Sequence, residues 1–238
     1  MMTVFPVLAL HPEEAGQAAR QDFFGTAFAI APGVFMTAAH VVANALEHGR
    51  LAIGGPAGGE GRPLGSAVVQ RYECFNDRDV ALLFCDVTGV TLLNAWLLHR
   101  VQVLTDLGAF GYPHAVTRSS SNVERLDVVF RAYKGHVITI RGFERLHDEP
   151  AIYEISCRFP EGMSGAPLLL NQNGSLAVTG VVLGTSTVEY GGIAHDVGIA
   201  IVCDEIVGLR SEILGGEIGA RLNLDGAFLG PSLENARS

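Results

Sequence analysis

Residues 24–40 read FGTAFAIAPGVFMTAAH, and the local pattern in this stretch underlies the fold prediction. Two apolar segments, 24–30 and 34–37, flank the sequence Ala-Pro-Gly, which favours a tight turn. They predict an antiparallel hairpin. Residues 38–46 follow as a short helix that carries His40 in its first turn. The stretch therefore predicts strand, turn, strand and helix in that order.

Strand-like segments continue beyond this hairpin in two series, separated by a connector around Trp96. The second series includes a strand at 101–104 and a hairpin at 171–174, where Asn-Gln-Asn-Gly is a turn signal. The sequence predicts an all-β fold of two six-stranded antiparallel β-barrels followed by a C-terminal helix over 204–214. The predicted divisions are an N-terminal arm (1–22), a first β-barrel (23–98), a second β-barrel (99–203), and a C-terminal helix and tail (204–238).

The composition restricts the classes of partner. The chain has 238 residues, is 48% hydrophobic and carries a formal net charge of −9, which argues against a nucleic-acid-binding surface. The N-terminal segment lacks the basic start of a signal peptide, and no apolar run reaches the ~18 residues of a membrane-spanning helix. We therefore predict a soluble, cytoplasmic protein with no nucleic-acid partner and no membrane partner.

The cysteines indicate neither a metal site nor a disulfide framework. Their positions contain no CxxC pair, so a zinc site is not indicated. They could form disulfides in several pairings, but an intracellular chain would keep its thiols reduced. We interpret them as small buried side chains. The four are Cys74, Cys85, Cys157 and Cys203.

A serine stands between glycines in Gly162-Met163-Ser164-Gly165, just before an apolar strand predicted over 166–170. Glycine lets the backbone turn sharply and point N–H groups into one concavity. Such donors stabilise the oxyanion of a tetrahedral intermediate. An ordinary Ser-Gly turn is the alternative, and this segment alone does not decide between the two.

His40 and Asp79 supply possible partners for that serine. Asp79 directly precedes an apolar run at 80–84, where a carboxylate is costly to bury unless it is paired. An imidazole N–H would be a suitable partner, although Asp77 competes for this role and a lone histidine is often structural. In the chain order His, Asp, Ser, the three residues match a base, the acid that orients it, and a nucleophile.

Together these segments resemble the trypsin-like serine protease domain of the chymotrypsin fold, nearest its HtrA/Deg-like branch. That branch usually carries a PDZ domain after the barrels, whereas a helix and a short tail are predicted here. The matching motifs run in order from about residue 23 to 210. They are Gly25-Thr26-Ala27-Phe28, Thr37-Ala38-Ala39-His40-Val41-Val42, Asp79-Val80-Ala81, Gly111-Tyr112-Pro113, Gly162-Met163-Ser164-Gly165-Ala166-Pro167 and Gly198-Ile199-Ala200-Ile201.

The resemblance implies a role for each residue of the motifs. It makes His40 the general base and acid, Asp79 its orienting group, and Ser164 the nucleophile. The backbone N–H groups of Gly162 and Ser164 would form the oxyanion hole, and no cofactor or metal ion is implied. The substrate-binding residues that it implies are Arg158, Phe159, Val182, Leu183, Gly184 and Thr185.

Several positions depart from secreted trypsins. Val41 and Pro160 stand where those proteins have cysteines, which supports a reduced compartment. Met163 replaces an aspartate that pairs with a newly cut N-terminus, so we expect no zymogen activation by that route. A substrate or partner that orders residues 159–163 is a hypothesis. Arg158 would favour an acidic residue before the scissile bond if it pointed into the pocket, and a solvent-facing arginine is the alternative.

The predicted function is a serine endopeptidase that hydrolyses peptide bonds through an acyl-enzyme. Its predicted partners are a protein or peptide substrate and a regulatory protein. The alternative is a catalytically weak, protease-like module that binds peptides or acts as a scaffold. An esterase is a weaker third hypothesis, because the Ser-acid-His order of the α/β-hydrolases is absent.

Overall fold

The structure is a computed structural model that describes residues 3–11, 21–55, 65–120, 123–142, 149–172 and 174–224. Its first sheet forms around the hairpin predicted from residues 24–40, and the helix follows that hairpin directly. The elements are β1 (Val4–Leu10), β2 (Gln21–Ala31), β3 (Val34–Ala38), α1 (Ala39–His48), β4 (Arg50–Gly54), β5 (Ser66–Val68), β6 (Arg71–Phe75) and β7 (Val80–Phe84).

The first sheet closes into a barrel through β5 and β6. The strand order is β5-β4-β1-β2-β3-β7-β6, so β5 and β6 lie at opposite ends of the sheet. Only Val69 and Gln70 separate these two strands in the chain. The N–H of Val69 donates to Leu51 of β4 and that of Gln70 donates to Phe84 of β7, both at 2.9 Å. One nearly continuous segment therefore joins the two ends of the sheet.

Residues 4–10 lie inside this barrel, although the sequence predicts an N-terminal arm over 1–22. β1 pairs antiparallel with β2 on one side and with β4 on the other. Phe5, Val7 and Ala9 face the core of the first barrel, whereas Val4 belongs to the core between the barrels. The strand is apolar on both faces because both faces are covered, and the alternation that marks a half-exposed strand is absent.

The second barrel is a closed ring of six antiparallel strands. β12 pairs with both β9 and β13, so the ring order is β9-β10-β11-β14-β13-β12. The predicted all-β fold with two barrels is thereby confirmed. A two-residue strand, β8 (Ala95–Trp96), precedes the ring, which consists of β9 (Asp106–Ser120), β10 (Val123–Arg141), β11 (Ile152–Ile155), β12 (Pro167–Gln172), β13 (Ser175–Tyr190) and β14 (Ile193–Val202).

Two local predictions in the second barrel have different outcomes. The hairpin at 171–174 forms, since Gln172 pairs with Ser175, and the N–H of Gly174 donates to Asn171 Oδ1 at 2.9 Å. Asn173 lies outside the described residues. The strand predicted at 101–104 is wrong, because Leu104 has a φ of 70° and is 75% exposed, which fits a turn and not a strand.

The helix predicted over 204–214 is also wrong. The chain forms a 3₁₀ turn at Cys203–Glu205, further turns, the strand pair β15 (Arg210–Ser211) and β16 (Gly216–Glu217), and a second 3₁₀ turn at Ile218–Arg221. A last short strand, β17 (Asn223–Leu224), pairs with β8. Gly208 has low helix propensity, and the apolar residues at helical spacing reach the core through turns instead.

The barrels share a core, which the C-terminal segment completes. It includes Phe28 and Met36 of the first barrel, Val181 and Ile201 of the second, and the buried Trp96 between them. The C-terminal residues that join this core are Ile206, Leu214 and Ile218. No helix in the described part of the chain has the length and apolar character needed to span a membrane.

We expect Ile218→Ala to lower the free energy of unfolding by about 2–5 kcal/mol, because it leaves a cavity beside a side chain that is 0% exposed. Ile193→Ala is the matched control, since Ile193 is 62% exposed. Urea denaturation of both variants is the measurement. Equal effects of the two substitutions would contradict the packing described for Ile218.

Alkaline pH should destabilise the fold through Cys85, a free and fully buried thiol. Burial raises the pKa of Cys85 from 9.0 to about 12. Between these values the unfolded chain loses the proton and the folded chain keeps it, so stability present below pH 9 declines as pH rises. Between pH 8 and 10 this group should cost about 1.4 kcal/mol. In Cys85→Ala the free energy of unfolding, measured with urea, should fall less steeply with rising pH than in the wild-type protein. An unchanged pH dependence would contradict this.

Candidate active site

His40 and Asp79 are paired directly. His40 lies in the first turn of α1, and Asp79 lies immediately before β7. His40 Nδ1 is 2.7 Å from Asp79 Oδ2, and the backbone N–H of His40 donates to Asp79 Oδ1 at 2.9 Å. Asp77 is turned away, with its carboxylate 70% exposed and 3.2 Å from Arg78. The structure therefore brings Asp79 to His40, and it does not bring Asp77 there.

Asp79 also caps the helix that carries the histidine. Ala38, the N-cap residue of α1, makes no side-chain capping bond. Instead the Asp79 carbonyl accepts from the N–H of Ala39 at 3.1 Å, while the Asp79 carboxylate accepts from the N–H of His40. The first N–H groups of a helix lack internal acceptors and favour a negative charge beside them. One residue thus fixes both the helix end and the imidazole ring.

Ser164 shares a cavity with His40 but does not contact it. Both line a cleft of about 740 Å³ between the two barrels. The Ser164 hydroxyl donates to the Leu183 carbonyl at 3.0 Å. Within the described residues no hydrogen bond joins Ser164 to the imidazole. The serine is therefore next to the base, with its hydroxyl directed to β13.

In the turn that holds Ser164, some backbone N–H groups donate hydrogen bonds and others have no acceptor within the described residues. Those of Met163, Gly165 and Ala166 donate to carbonyls at 3.1, 2.7 and 2.9 Å. Those of Gly162 and Ser164 have no acceptor among the described residues. Gly162 has a φ of 88°, which favours glycine. The two N–H groups predicted to bind an oxyanion are therefore available for one.

Thr26, on β2 of the first barrel, holds this turn in place. Its N–H donates to the Ser164 carbonyl at 2.9 Å, and its hydroxyl donates to the Gly162 carbonyl at 2.7 Å. The same hydroxyl accepts from the N–H of Tyr112 at 3.1 Å. Its carbonyl accepts from the Thr37 hydroxyl at 2.7 Å. Two of these four contacts fix the Ser164 turn against the first barrel, and the other two join Thr26 to Thr37 of β3 and to Tyr112 of β9.

The contact between Thr26 and the Ser164 turn leaves no room for a side chain at position 165. Gly165 has a φ of 84°, and a Cβ there would overlap the Thr26 carbonyl and the Thr37 hydroxyl. Thr26 is the functional residue that the sequence interpretation missed. Thr26 belongs to Gly25-Thr26-Ala27-Phe28, a motif that supports the family resemblance, but the sequence alone assigns no role to it.

Met163 anchors the same turn by apolar contact. Its side chain is 0% exposed and belongs to the core of the second barrel, with Phe159, Val182 and Leu168 among its cluster. An acidic residue at this position would require an ionic partner inside that core. Burial of the thioether therefore anchors this turn where secreted trypsins are expected to have an ion pair.

The predicted substrate-binding residues are mostly found together. A depression of about 530 Å³ beside Ser164 is lined by five of them: Arg158, Phe159, Leu183, Gly184 and Thr185. Val182 does not reach it, because its side chain is fully buried in the barrel core.

Two contacts shape this depression. The Thr185 hydroxyl accepts from the N–H of Phe159 at 2.9 Å and donates to its carbonyl at 2.8 Å, which ties opposite walls together. The Arg158 side chain is 71% exposed, with Nε 3.3 Å from Asp196 Oδ2. This arrangement does not supply the free inward charge that a preference for acidic residues would need.

No metal centre accompanies the site in the part of the chain that the structure covers. Among those residues, no group of three or more His, Cys, Asp or Glu side chains comes close enough to hold a metal ion. The chemistry available at the cleft is therefore that of a hydroxyl, an imidazole paired with a carboxylate, and two free backbone donors.

Comparisons with known proteins bear on the family and the fold of the chain. The family model of the trypsin-like peptidase domain matches residues 25–181. The sequence has no significant match among curated proteins. The active form of the Rv3671c protease from M. tuberculosis superposes with a TM-score of 0.59 and 22% identity, over 87% of this chain and 78% of that one.

An HtrA-type protease is also similar in structure. The structure of AlgW with a tripeptide superposes with a TM-score of 0.56 and 16% identity, over 84% of this chain and 56% of that one. Because both identities are below 25%, these two similarities support the fold alone.

We expect Thr26→Val to destabilise the protein by about 1–3 kcal/mol, because it keeps the side-chain shape and leaves the Gly162 carbonyl and the Tyr112 N–H without their buried partner. Thr187→Val is the control, since the exposed Thr187 hydroxyl donates to Asp196 Oδ1. Chemical denaturation compares the two variants. A loss for Thr26→Val no larger than for Thr187→Val would disprove the bridging role.

Proposed function

The chain belongs to the trypsin-like peptidase domain family, and we propose that it cleaves peptide bonds through an acyl-enzyme formed on Ser164. Its enzyme class is that of the family, a serine endopeptidase, and its substrates are proteins or peptides. One observation carries the mechanistic proposal. Asp79 binds both the ring and the backbone of His40, in a cleft where Ser164 and two free N–H groups are the neighbouring reactive groups.

Attack begins with the Ser164 hydroxyl. It leaves the Leu183 carbonyl by rotating about one side-chain bond and donates instead to Nε2 of His40. The imidazole takes the proton as Oγ attacks the substrate carbonyl, and Asp79 stabilises the imidazolium that results. Because Nδ1 faces the Asp79 carboxylate, it carries the N–H, so Nε2 is the nitrogen free to accept the proton.

The tetrahedral intermediate places its oxyanion on the N–H groups of Gly162 and Ser164. Donors that are fixed before the reaction need no reorganisation when charge develops, and each is typically worth about 3–4 kcal/mol in the barrier. His40 then protonates the leaving amine. Water hydrolyses the acyl-enzyme by the same route, and the Ser164 hydroxyl is restored.

The substrate backbone is proposed to pair with the segment 183–185. Leu183 lies at a bulge in the pairing of β13 with β14, and its carbonyl accepts from the Ser164 hydroxyl. A substrate N–H would compete for that carbonyl and release the hydroxyl towards His40. The arrangement thus couples docking of the chain to activation of the nucleophile.

The cellular compartment and a regulatory protein partner are two further proposals. All four cysteines are free, and a reduced state is usual in the cytoplasm. We propose that compartment, and detection of the protein in the cytosolic fraction with its thiols accessible to alkylation after denaturation would test it. A regulatory protein partner is proposed on the resemblance to HtrA-type proteases alone, and co-purification under native conditions would test it.

A peptide-binding module with negligible turnover is the second candidate. The observation that favours it is the hydrogen bond of the Ser164 hydroxyl to Leu183, which keeps the nucleophile away from the base. The enzyme is favoured because all three triad positions are intact and the pairing of Asp79 with His40 is formed. Covalent labelling of the serine distinguishes the two candidates.

We expect a fluorophosphonate to label the native protein and not Ser164→Ala. Asp79→Asn should reduce peptide hydrolysis by about 10⁴-fold, because the imidazole loses the carboxylate that fixes its tautomer. The matched control is Asp77→Asn, two residues away and exposed, which should retain activity. No labelling of the wild-type protein under any condition would favour the binding module, and an equal loss in both Asn variants would contradict the role of Asp79.

A further inference from the structure

The backbone at Asp79 is held in an uncommon conformation. Its φ is 48°, and in the described ranges only Leu104 shares a positive φ among non-glycine residues. A side chain in this left-handed region costs about 1–3 kcal/mol and persists only where neighbouring structure enforces it. Unlike Leu104, which lies on an exposed turn, Asp79 is the residue that orients His40. What enforces its conformation therefore bears on the reaction.

The residue before Asp79 is bound from outside the first barrel. Arg78 Nε forms an ion pair at 3.2 Å with Oε2 of Glu205, in the 3₁₀ turn after β14. The other oxygen, Oε1, accepts from Arg100 Nη2 at 3.4 Å. The Arg78 and Glu205 side chains are 25% and 18% exposed, so water screens this pair less than a surface pair. Arg78 Nε and the Glu205 carboxylate thus lie at ion-pair distance without a hydrogen bond, while Arg78 Nη1 donates to the Asp77 carboxylate at 3.2 Å.

A second contact joins the C-terminal segment that contains Glu205 to β6, the strand before the turn at 76–79. Glu73 on β6 accepts from the Ser211 hydroxyl at 2.6 Å and from the N–H of Glu212 at 3.2 Å. The segment itself is held in the core between the barrels by Ile206 and Ile218. Glu73, before the turn at 76–79, and Arg78, within that turn, therefore both contact one anchored segment.

We propose that Glu205 is a positioning residue for Asp79 and acts through Arg78. Restraining the Arg78 side chain restricts the peptide between residues 78 and 79, and with it the left-handed φ of Asp79. The carboxylate then remains where it meets both the N–H and the ring of His40. This inference rests on the proposed function, and it makes a segment beyond the second barrel part of the catalytic arrangement.

The test compares Glu205→Gln with Glu212→Gln in the full chain. Both lie in the same segment and undergo the same change, but the Glu212 side chain is exposed, and it is the Glu212 backbone N–H that donates to Glu73 on β6. Glu205→Gln should lower kcat by about 10- to 100-fold with KM nearly unchanged, as expected for a small misplacement of a catalytic group. Glu212→Gln should keep the wild-type kcat.

A spectroscopic readout separates positioning from general stability. The proton on His40 Nδ1, shared with Asp79, should give a downfield resonance in water in the wild-type protein. It should shift upfield or broaden in Glu205→Gln and persist in Glu212→Gln. This readout needs no turnover, so it tests the inference even if the protein proves to be a binding module, whereas fluorophosphonate labelling tests the proposed function separately.

Two further variants guard against a folding artefact. Arg78→Lys keeps the positive charge and should retain most of the kcat. Arg78→Gln combined with Glu205→Gln should lose less kcat than the sum of the two single losses, because both remove the same ion pair, although each also breaks one further contact, to Asp77 or to Arg100. A lowered melting temperature in Glu205→Gln with unchanged kcat and an unchanged His40 resonance would overturn the proposal. Additive losses in the double variant would overturn it as well.

Discussion

The close approach of the two barrels at Thr26 is the constraint on which the site depends. A threonine in the first barrel donates its N–H and its hydroxyl to the carbonyls of Ser164 and Gly162, which belong to the turn before β12. This contact is possible only where the facing residue lacks a side chain, as at Gly165. The position of Ser164 thus depends on the opposite barrel and on how the two barrels meet.

Asp79 supplies the second constraint, since one carboxylate serves two purposes. It caps α1 and binds the imidazole that the helix carries, so the ring cannot move independently of the helix end. A carboxylate at a helix N-terminus is stabilised by the backbone dipoles. The position that suits the helix end is therefore the same one that brings the carboxylate to the imidazole.

The parts that could be predicted from sequence are those encoded by neighbouring residues. The hairpin around 24–37 and the turn at 171–174 follow from local patterns. The pairing of Asp79 with His40, 39 residues apart, is predicted from the apolar run after Asp79, the chain order and the family resemblance. Thr26 could not be found in this way, because Gly162 and Tyr112 lie 136 and 86 residues away from it. The apolar spacing over 204–214 predicts a helix, but contact with both barrels satisfies those side chains through turns instead. Tertiary packing overrides propensity there.

Residues 4–10 form a strand in the interior of the first sheet, between β2 and β4. Its backbone groups are paired along both sides, so it shields two strands from solvent at once. Loss of this strand would uncover two rows of N–H and C=O groups at the middle of a barrel. Such open edges are templates for a strand from another molecule, which leads to domain exchange or aggregation. The first strand therefore keeps its two neighbours from pairing with a strand of another molecule, as well as completing the core.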